Sequence, residues 1–202
     1  IVTFLQTDPL YVIDLSDPEE PVITDAIFLP GFDTYQHPWG DNFLIGFGHN
    51  ATENGIVNGL KVSAYDVTMG SAHEIQTMVL GTETNSTPFI RYEYSYSEAI
   101  YNHKAFLVSP SHNLFGFPLA RNSYSDMGGY DFYSAFYLLK IDFTSPTPLS
   151  APIKIAHPQI ESSYTHVQRA IYIENFVYIF SNNYVVVYDL VNDVTRDTML
   201  TF

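Results

Sequence analysis

The 202 residues suffice for one sizeable domain, and 46% hydrophobic against 15% charged residues supplies a packed core and excludes a disordered chain. Eight Lys plus Arg against 22 Asp plus Glu give a formal net charge of −14, which repels phosphate backbones and anionic membrane surfaces and excludes nucleic acid as a partner class. With no cysteine, a disulfide framework, a thiolate metal site and a thiol nucleophile are excluded as well.

Sixteen Tyr and 15 Phe favour strands, because rings and β-branched side chains fit a pleated, half-buried surface. No apolar run reaches the roughly 20 residues that span a bilayer, so no transmembrane segment is expected, and no signal peptide is visible. The chain opens at Ile1, without Met, inside what reads as a strand, so a fragment or processed product is the expectation.

In chain order, the first element is LYVIDLSDPEEPVITDAIFLPG around Asp14: an alternating strand ending in aspartate, a turn-rich connection and a second strand. DTYQHPWG and NFLIGFG follow as two more strands, then KVSAYDVTMGSAHEIQTMVLG repeats the first unit around Asp66. Insertions rich in Ser, Tyr, Asn and Gly are expected at Thr82 to Ser97 and near Arg121 to Tyr133. Between them lie the strand candidates IYNHKAFLV and LFGFPLA, and after them the third copy, FYLLKIDFTSPTPLSAPIKIAH, around Asp142. YTHVQRAIYI and FVYIFSN lead to the fourth copy, YVVVYDLVNDVTRDTMLTF, around Asp189.

The aspartates are 52, 76 and 47 residues apart, near the roughly 40 to 50 residues of a propeller blade once one long insertion is allowed. Four short strands per unit, with no amphipathic helix of ten residues, predict an all-β chain: a partial β-propeller of about four four-stranded blades, with a two-sheet sandwich as the rival. The blades are expected at 1–30, 31–82, 83–158 and 159–202, the first lacking its innermost strand. A ring removes sheet edges by closing, so an incomplete first blade calls for upstream blades, open edges or a second copy, and a homodimer is expected.

The segments TDPLYVIDLSDPEEP, LPGFDTYQHPWGDNFLIGFG, NGLKVSAYDV and SEAIYNHKAFL together resemble the bacterial and archaeal family of secreted proteins with a C-terminal β-propeller domain, distantly similar to WD40 repeats. The likeness runs from Phe4 to about Phe117 and more weakly through QRAIYI and VVVYDL. It implies a propeller longer than this chain, exported to the cell surface or beyond. It supplies no reaction, so function is argued from the residues.

Three Tyr-x-His triplets, Tyr35 to His37, Tyr101 to His103 and Tyr164 to His166, recur at spacings of 66 and 63 residues, each expected at the start of an innermost strand. Residues two apart on a strand share a face, so the rings are expected around a central channel, where three imidazoles could take a transition metal or a polar ligand. The competing reading is a packing residue reused in every blade. Trp39, Lys104 and Arg169 are further candidates for ligand contact at the channel mouth, and Arg91 and Glu98 lie near the same positions.

The loop GHNATENGIVNG offers Asn50, Thr52, Glu53 and Asn54 as oxygen ligands for Ca²⁺. Glu53 is the one carboxylate there, and Asn54-Gly55 equally reads as a hairpin turn. Glu93 and Glu98 could serve as the carboxylate pair of a glycosidase. No G-x-S-x-G, H-E-x-x-H, G-x-x-x-x-G-K-[ST] or G-x-G-x-x-G is present. Asn50-Ala51-Thr52 and Asn85-Ser86-Thr87 match a glycosylation sequon. Alternating Tyr92, Tyr94 and Tyr96 place rings on one strand face or along a loop, where tyrosine brings large contact area at low entropy cost. The function expected is a non-catalytic extracellular propeller that binds or scaffolds a protein or cell-envelope polymer and requires no cofactor. The alternative is a secreted hydrolase acting on glycans or peptides at the channel.

Overall fold

A computed structural model describes residues 9–81, 90–125, 129–158 and 165–200. The chain forms two compact units, Ile1–Thr82 with Asp142–Leu149, and Glu83–Ile141 with Ser150–Phe202.

In the first unit, β1 (Leu10–Asp14) and β2 (Val22–Ile27) form a two-stranded antiparallel sheet. β3 (Phe32–Trp39), β4 (Phe43–Ala51), β5 (Val57–Asp66) and β6 (His73–Leu80) form a four-stranded meander in chain order. β5 is buried without interruption from Leu60 to Tyr65, as suits a central strand covered on both faces. Asp25 of β2 ties the small sheet to the large one by accepting the N–H of Ala72 at 2.8 Å. The segment 142–149 joins this unit through Gln76, whose amide donates to the carbonyl of Leu149 and accepts its N–H, and through Phe143, stacked on Phe43 at 4.2 Å.

In the second unit, β7 (Ile90–Tyr96), β8 (Leu107–Ser109), β9 (Leu114–Ser125), β10 (Tyr130–Lys140) and β11 (Ile153–Ala156) form one sheet in the order β11-β10-β9-β7. β8 and β7 pair with opposite ends of the long β9. β12 (Val167–Ile173), β13 (Phe176–Ser181), β14 (Tyr184–Asp189) and β15 (Val194–Leu200) form a second meander. In β13, buried Val177, Ile179 and Ser181 alternate with less buried neighbours, the period-2 pattern of a strand with one inner face. Phe136, Leu138 and Ile155 of the first sheet meet Val177, Ile179 and Val186 of the second in one core. Gly116 leaves room for the Phe136 ring, since a Cβ there would lie 2.5 Å from it. Two four-stranded and one five-stranded antiparallel sheet, after a first sheet of two strands among the described residues, make this the partial β-propeller that the repeat predicts.

The repeated aspartate has one local task in all four copies. Asp14 accepts the N–H of Ser16 at 2.8 Å, Asp66 that of Thr68 at 2.9 Å, Asp142 that of Thr144 at 3.0 Å and Asp189 that of Val191 at 2.9 Å. Each is an Asx turn, in which the carboxylate substitutes for a backbone carbonyl and starts the connection between the last two strands of a sheet. The hydroxyls of Thr68 and Thr144 donate to the same carboxylates. Asp189 is the most heavily engaged, accepting also from Asn192 backbone and side chain and from Arg196. The accepted hydrogen bonds hold all four carboxyls below the usual range, led by the Ser16 backbone at Asp14, the Thr68 and Thr144 hydroxyls at Asp66 and Asp142, and the Asn192 amide at Asp189.

One strand expectation is corrected. IYNHKAFLV is not a continuous strand: Glu98–Ile100 and His103–Ala105 are single 3-10 turns, and only Leu107–Ser109 is extended. The reason is local, because the side chains of Ser97 and Asn102 accept the N–H of Ala99 and Lys104 and draw the backbone into turns. Conversely, Arg121 to Tyr133, expected as an insertion, carries the far ends of β9 and β10 on either side of residues 126–128, which lie outside the described residues.

Asp189→Ala is expected to lower the melting temperature more than Asp14→Ala, because it removes acceptors from a backbone pair, an amide and a guanidinium rather than from one N–H; thermal unfolding of the two variants decides this. A second expectation concerns pH. His157 is buried, donates to or accepts from Ser181 Oγ at 2.9 Å through Nδ1, and burial lowers its pKa from 6.5 to about 4. The unfolded chain takes up a proton that the folded imidazole refuses, so this contribution, at most about 3 kcal/mol, is complete above pH 6.5 and is lost as pH falls toward 4. The aspartate turns lose theirs only below the unfolded carboxylate value of about 3.9. Melting curves should therefore show two acid steps, and His157→Gln should shrink the upper one, to which His37 and His49, also held below the usual imidazole value by burial, contribute as well.

Candidate functional site

The end of the β7–β9–β10 sheet presents aromatic side chains on one face. Register places Tyr94 opposite Asn122 and Tyr96 opposite Ala120, while Tyr124 faces Tyr130 and Asn122 faces Phe132. Alternation then puts Tyr94, Tyr96, Tyr124, Tyr130 and Phe132 on a common side. Tyr94 and Tyr124 are each 47% exposed and Tyr130 40%. Tyr94 stacks on Tyr96 at 6.0 Å, and Tyr124 lies 5.0 Å from Tyr130, whose hydroxyl donates to Asn122 Oδ1 at 2.6 Å. The rings hold one another in place while Tyr94, Tyr124 and Tyr130 stay nearly half exposed.

The opposite face is charged, with Arg121 and Glu93 largely buried and Asp131 exposed, and it ties the three strands together. Arg121 of β9 lies 3.9 Å from Glu93 of β7 and 3.9 Å from Asp131 of β10, with its guanidinium 5.6 Å from the Tyr133 ring centre. One cation thus bridges both neighbours of its own strand beneath the tyrosines.

The aromatic face leads to a cleft. Tyr96 Oη is 3.2 Å from His166 Nδ1, and the imidazole lies 4.6 Å from the Phe132 ring. Asn182 fixes the His166 backbone by accepting its N–H at 2.9 Å. Tyr96, Ser97, Glu98, His166 and Gln168 line a cavity of about 200 Å³, and Glu98, Asn102, Gln168 and Arg169 line a second of about 190 Å³. Burial, then the neighbouring Tyr130 and Tyr94, raises the Tyr96 phenol pKa, so it remains a neutral hydrogen-bond donor at physiological pH. Glu98 accepts from the Asn102 amide at 3.1 Å. Flat rings beside mixed donors and acceptors suit recognition of a polymer with apolar faces and polar edges.

The other sequence-derived candidates divide as follows. Tyr35 and His37 share a face of β3, their Oη and Nδ1 2.8 Å apart, and burial lowers the His37 pKa. Trp39, expected at a mouth, is instead buried at the end of β3, because its large apolar ring is the group with most to gain from the core. Tyr101 is 88% exposed in a turn, and His103 starts a 3-10 turn with its ring 6.4 Å from Phe106, so this pair does not repeat the strand geometry of Tyr35 and His37. Lys104 is exposed, Arg169 lines the second cavity, and Tyr164 lies outside the described residues.

The loop expected to hold Ca²⁺ is a hairpin connection with its own bonds. The Asn50 amide donates to Asn58 Oδ1 at 2.5 Å, Thr52 Oγ1 accepts the Ile56 N–H, and Gly55, at φ 75°, donates to the Thr52 carbonyl. Glu53 and Asn54 are exposed. Among the described residues no three His, Cys, Asp or Glu side chains come together as a metal-binding group. Glu93 and Glu98 have different surroundings, Arg121 for one and Asn102 for the other.

Arg121, Asn122 and Tyr124 carry no local sequence signal for this face, since β9 meets β7 through pairing between strands distant in sequence, and Tyr130 and Phe132 join it through the β9–β10 pairing. The alternating Tyr92, Tyr94 and Tyr96 were the legible part.

The family model described as Beta propeller domain matches residues 1–192. The chain is 32% identical over 189 residues, 94% of its length, to an uncharacterized protein of Archaeoglobus fulgidus, of which this covers 24%. It is 28% identical over 182 residues, 90% of its length, to the uncharacterized protein MJ1554 of Methanocaldococcus jannaschii, of which this covers 23%. The chain thus spans about a quarter of the length of these curated relatives. No solved structure matches.

Arg121→Met should lower the denaturation midpoint, since it removes the cation that largely buried Glu93 and exposed Asp131 both face. Chemical denaturation with both proteins checks this, and an unchanged midpoint would remove the three-strand tie.

Proposed function

This chain belongs to the beta propeller domain family, and on that premise we propose that it is a non-catalytic module that binds a protein or cell-envelope polymer outside the cell. The contact surface is the tyrosine face of β7, β9 and β10, continued by the cleft at Tyr96, His166, Glu98 and Arg169. The observation that carries this reading is the row of half-exposed rings braced on paired strands above the Arg121 tie. Tyrosine on a strand has few rotamers to lose, so contact with it costs little entropy. The net charge of −14 favours a neutral or basic partner. Placement outside the cell rests on the resemblance to secreted propellers. No described helix is long and apolar enough to cross a membrane.

The hydrolase alternative has weaker support. Its two carboxylate candidates face different neighbours. Three serines lie near imidazoles: Ser109 at 2.9 Å and Ser111 at 3.1 Å from His112, and Ser181 at 2.9 Å from His157. Ser109 and Ser181 are buried, where a hydroxyl does not meet a polymer substrate, and exposed Ser111 shares the single His112 Nδ1 with Ser109.

Sedimentation of the purified chain with isolated cell envelopes of its source tests the proposal. Wild type should pellet, and a Tyr94→Ser, Tyr124→Ser, Tyr130→Ser variant with an unchanged melting temperature should bind about tenfold less. Equal binding by the variant, or wild type remaining in the supernatant, would overturn it. Release of reducing sugar or free peptide during incubation would favour the hydrolase.

A further inference from the structure

The first unit holds a cavity of about 370 Å³, within the roughly 300 to 1,000 Å³ typical of small-ligand pockets. Its wall includes Tyr11, Leu29 and Tyr35, and at its floor are Asp33, Lys61 and Tyr65. The Asp33 and Lys61 side chains are 6% and 3% exposed, with Lys61 Nζ 3.6 Å from Asp33 Oδ1. Tyr65 donates its hydroxyl to Asp33 Oδ2 at 2.8 Å, and Lys61 donates to the Pro30 carbonyl at 3.3 Å. Oδ1 has no hydrogen-bond partner although it is buried. A carboxylate oxygen only accepts, so this one lacks a donor.

The fold makes space for this group at some cost to strand regularity. A Cβ at Gly46 would lie 2.2 Å from Asp33 Oδ2, and one at Gly48 2.0 Å from the Phe32 carbonyl. Two glycines within β4 weaken a strand unless a close approach needs them. The register between β3 and β4 shifts between Asp33 and Tyr35, and a bulge of this kind re-aims a side chain.

We propose that this cavity is a binding site for a neutral, hydroxyl-rich small molecule, a sugar or similar polyol, one hydroxyl of which donates to Asp33 Oδ1 while accepting from Lys61 Nζ. Charge selects this class. A free cation meets the Lys61 ammonium and a free anion meets the Asp33 carboxylate, whereas a hydroxyl is donor and acceptor at once and fits between the two. The exposed ring of Tyr11 and the half-buried ring of Tyr35 offer flat faces to the C–H side of a sugar. The site is independent of the tyrosine face of the second unit, so either reading can fail without the other.

The test uses the whole chain labelled with ¹⁵N and four probes: glucose, galactose, mannose and N-acetylglucosamine, each titrated to about 50 mM. At least one should shift the amide signals of Thr34, Tyr35, Gln36 and Lys61 in a saturable way. Asp33→Asn should weaken that probe about tenfold by removing a charge-assisted bond, and Leu29→Trp, which narrows the cavity without touching the ion pair, should abolish the shifts. If none of the four shifts these signals, the cavity holds water only and the proposal fails. It also fails if the shifts survive Leu29→Trp in a folded protein.

Discussion

The connection between the last two strands of each sheet starts on a carboxylate that accepts the N–H two residues further along, and the rest of the structure depends on where those turns fall. A strand displaced by one residue would carry its whole inner face to solvent. Fixing the start of the connection at Asp14, Asp66, Asp142 and Asp189 anchors the point from which β2, β6, β11 and β15 pair back on their neighbours. The charge is an asset there, because an ionised carboxylate accepts more strongly than a neutral carbonyl and remains charged at the acid end of the physiological range.

A sheet so anchored can carry a surface that contributes little to its own stability. β9 and β10 run past the part of the sheet paired with β8 and β11, and β7 joins them there. On one side Arg121 binds the three strands together; on the other the tyrosines are left half exposed. Packing alone would bury such rings, since each has a large apolar area. Their exposure beside a polar cleft is the physical basis for assigning recognition to this part of the chain. The first unit solves a different problem. It buries an ion pair against a cavity and gives up side chains at Gly46 and Gly48 to do so.

Much of the architecture was legible because it is local. The aspartate followed by Ser, Thr or Asn within three residues is a turn signal, and the flanking period-2 alternation marks strands wherever one face is buried. The Tyr92, Tyr94 and Tyr96 alternation was legible for the same reason. What escaped was what depends on pairing across long separations. Tyr101 and His103 share spacing with Tyr35 and His37, yet the caps at Ser97 and Asn102 turn the backbone there, so equal spacing did not mean equal geometry. Trp39 read as a contact residue because of its chemistry, and burial decided otherwise. Asp33 and Lys61 are 28 residues apart in sequence, and only the glycines of NFLIGFG hinted at a close approach.

Hydrogen exchange of the whole chain, with and without saturating cell-envelope polymer, tests the assignment of recognition to the tyrosine face most directly. Recognition through the tyrosine face predicts slowed exchange in residues 93–98, 120–124 and 130–133 on binding, with β13 and β14 unchanged. Protection confined to β1 and β2, with the tyrosine strands exchanging as in the free chain, would contradict it.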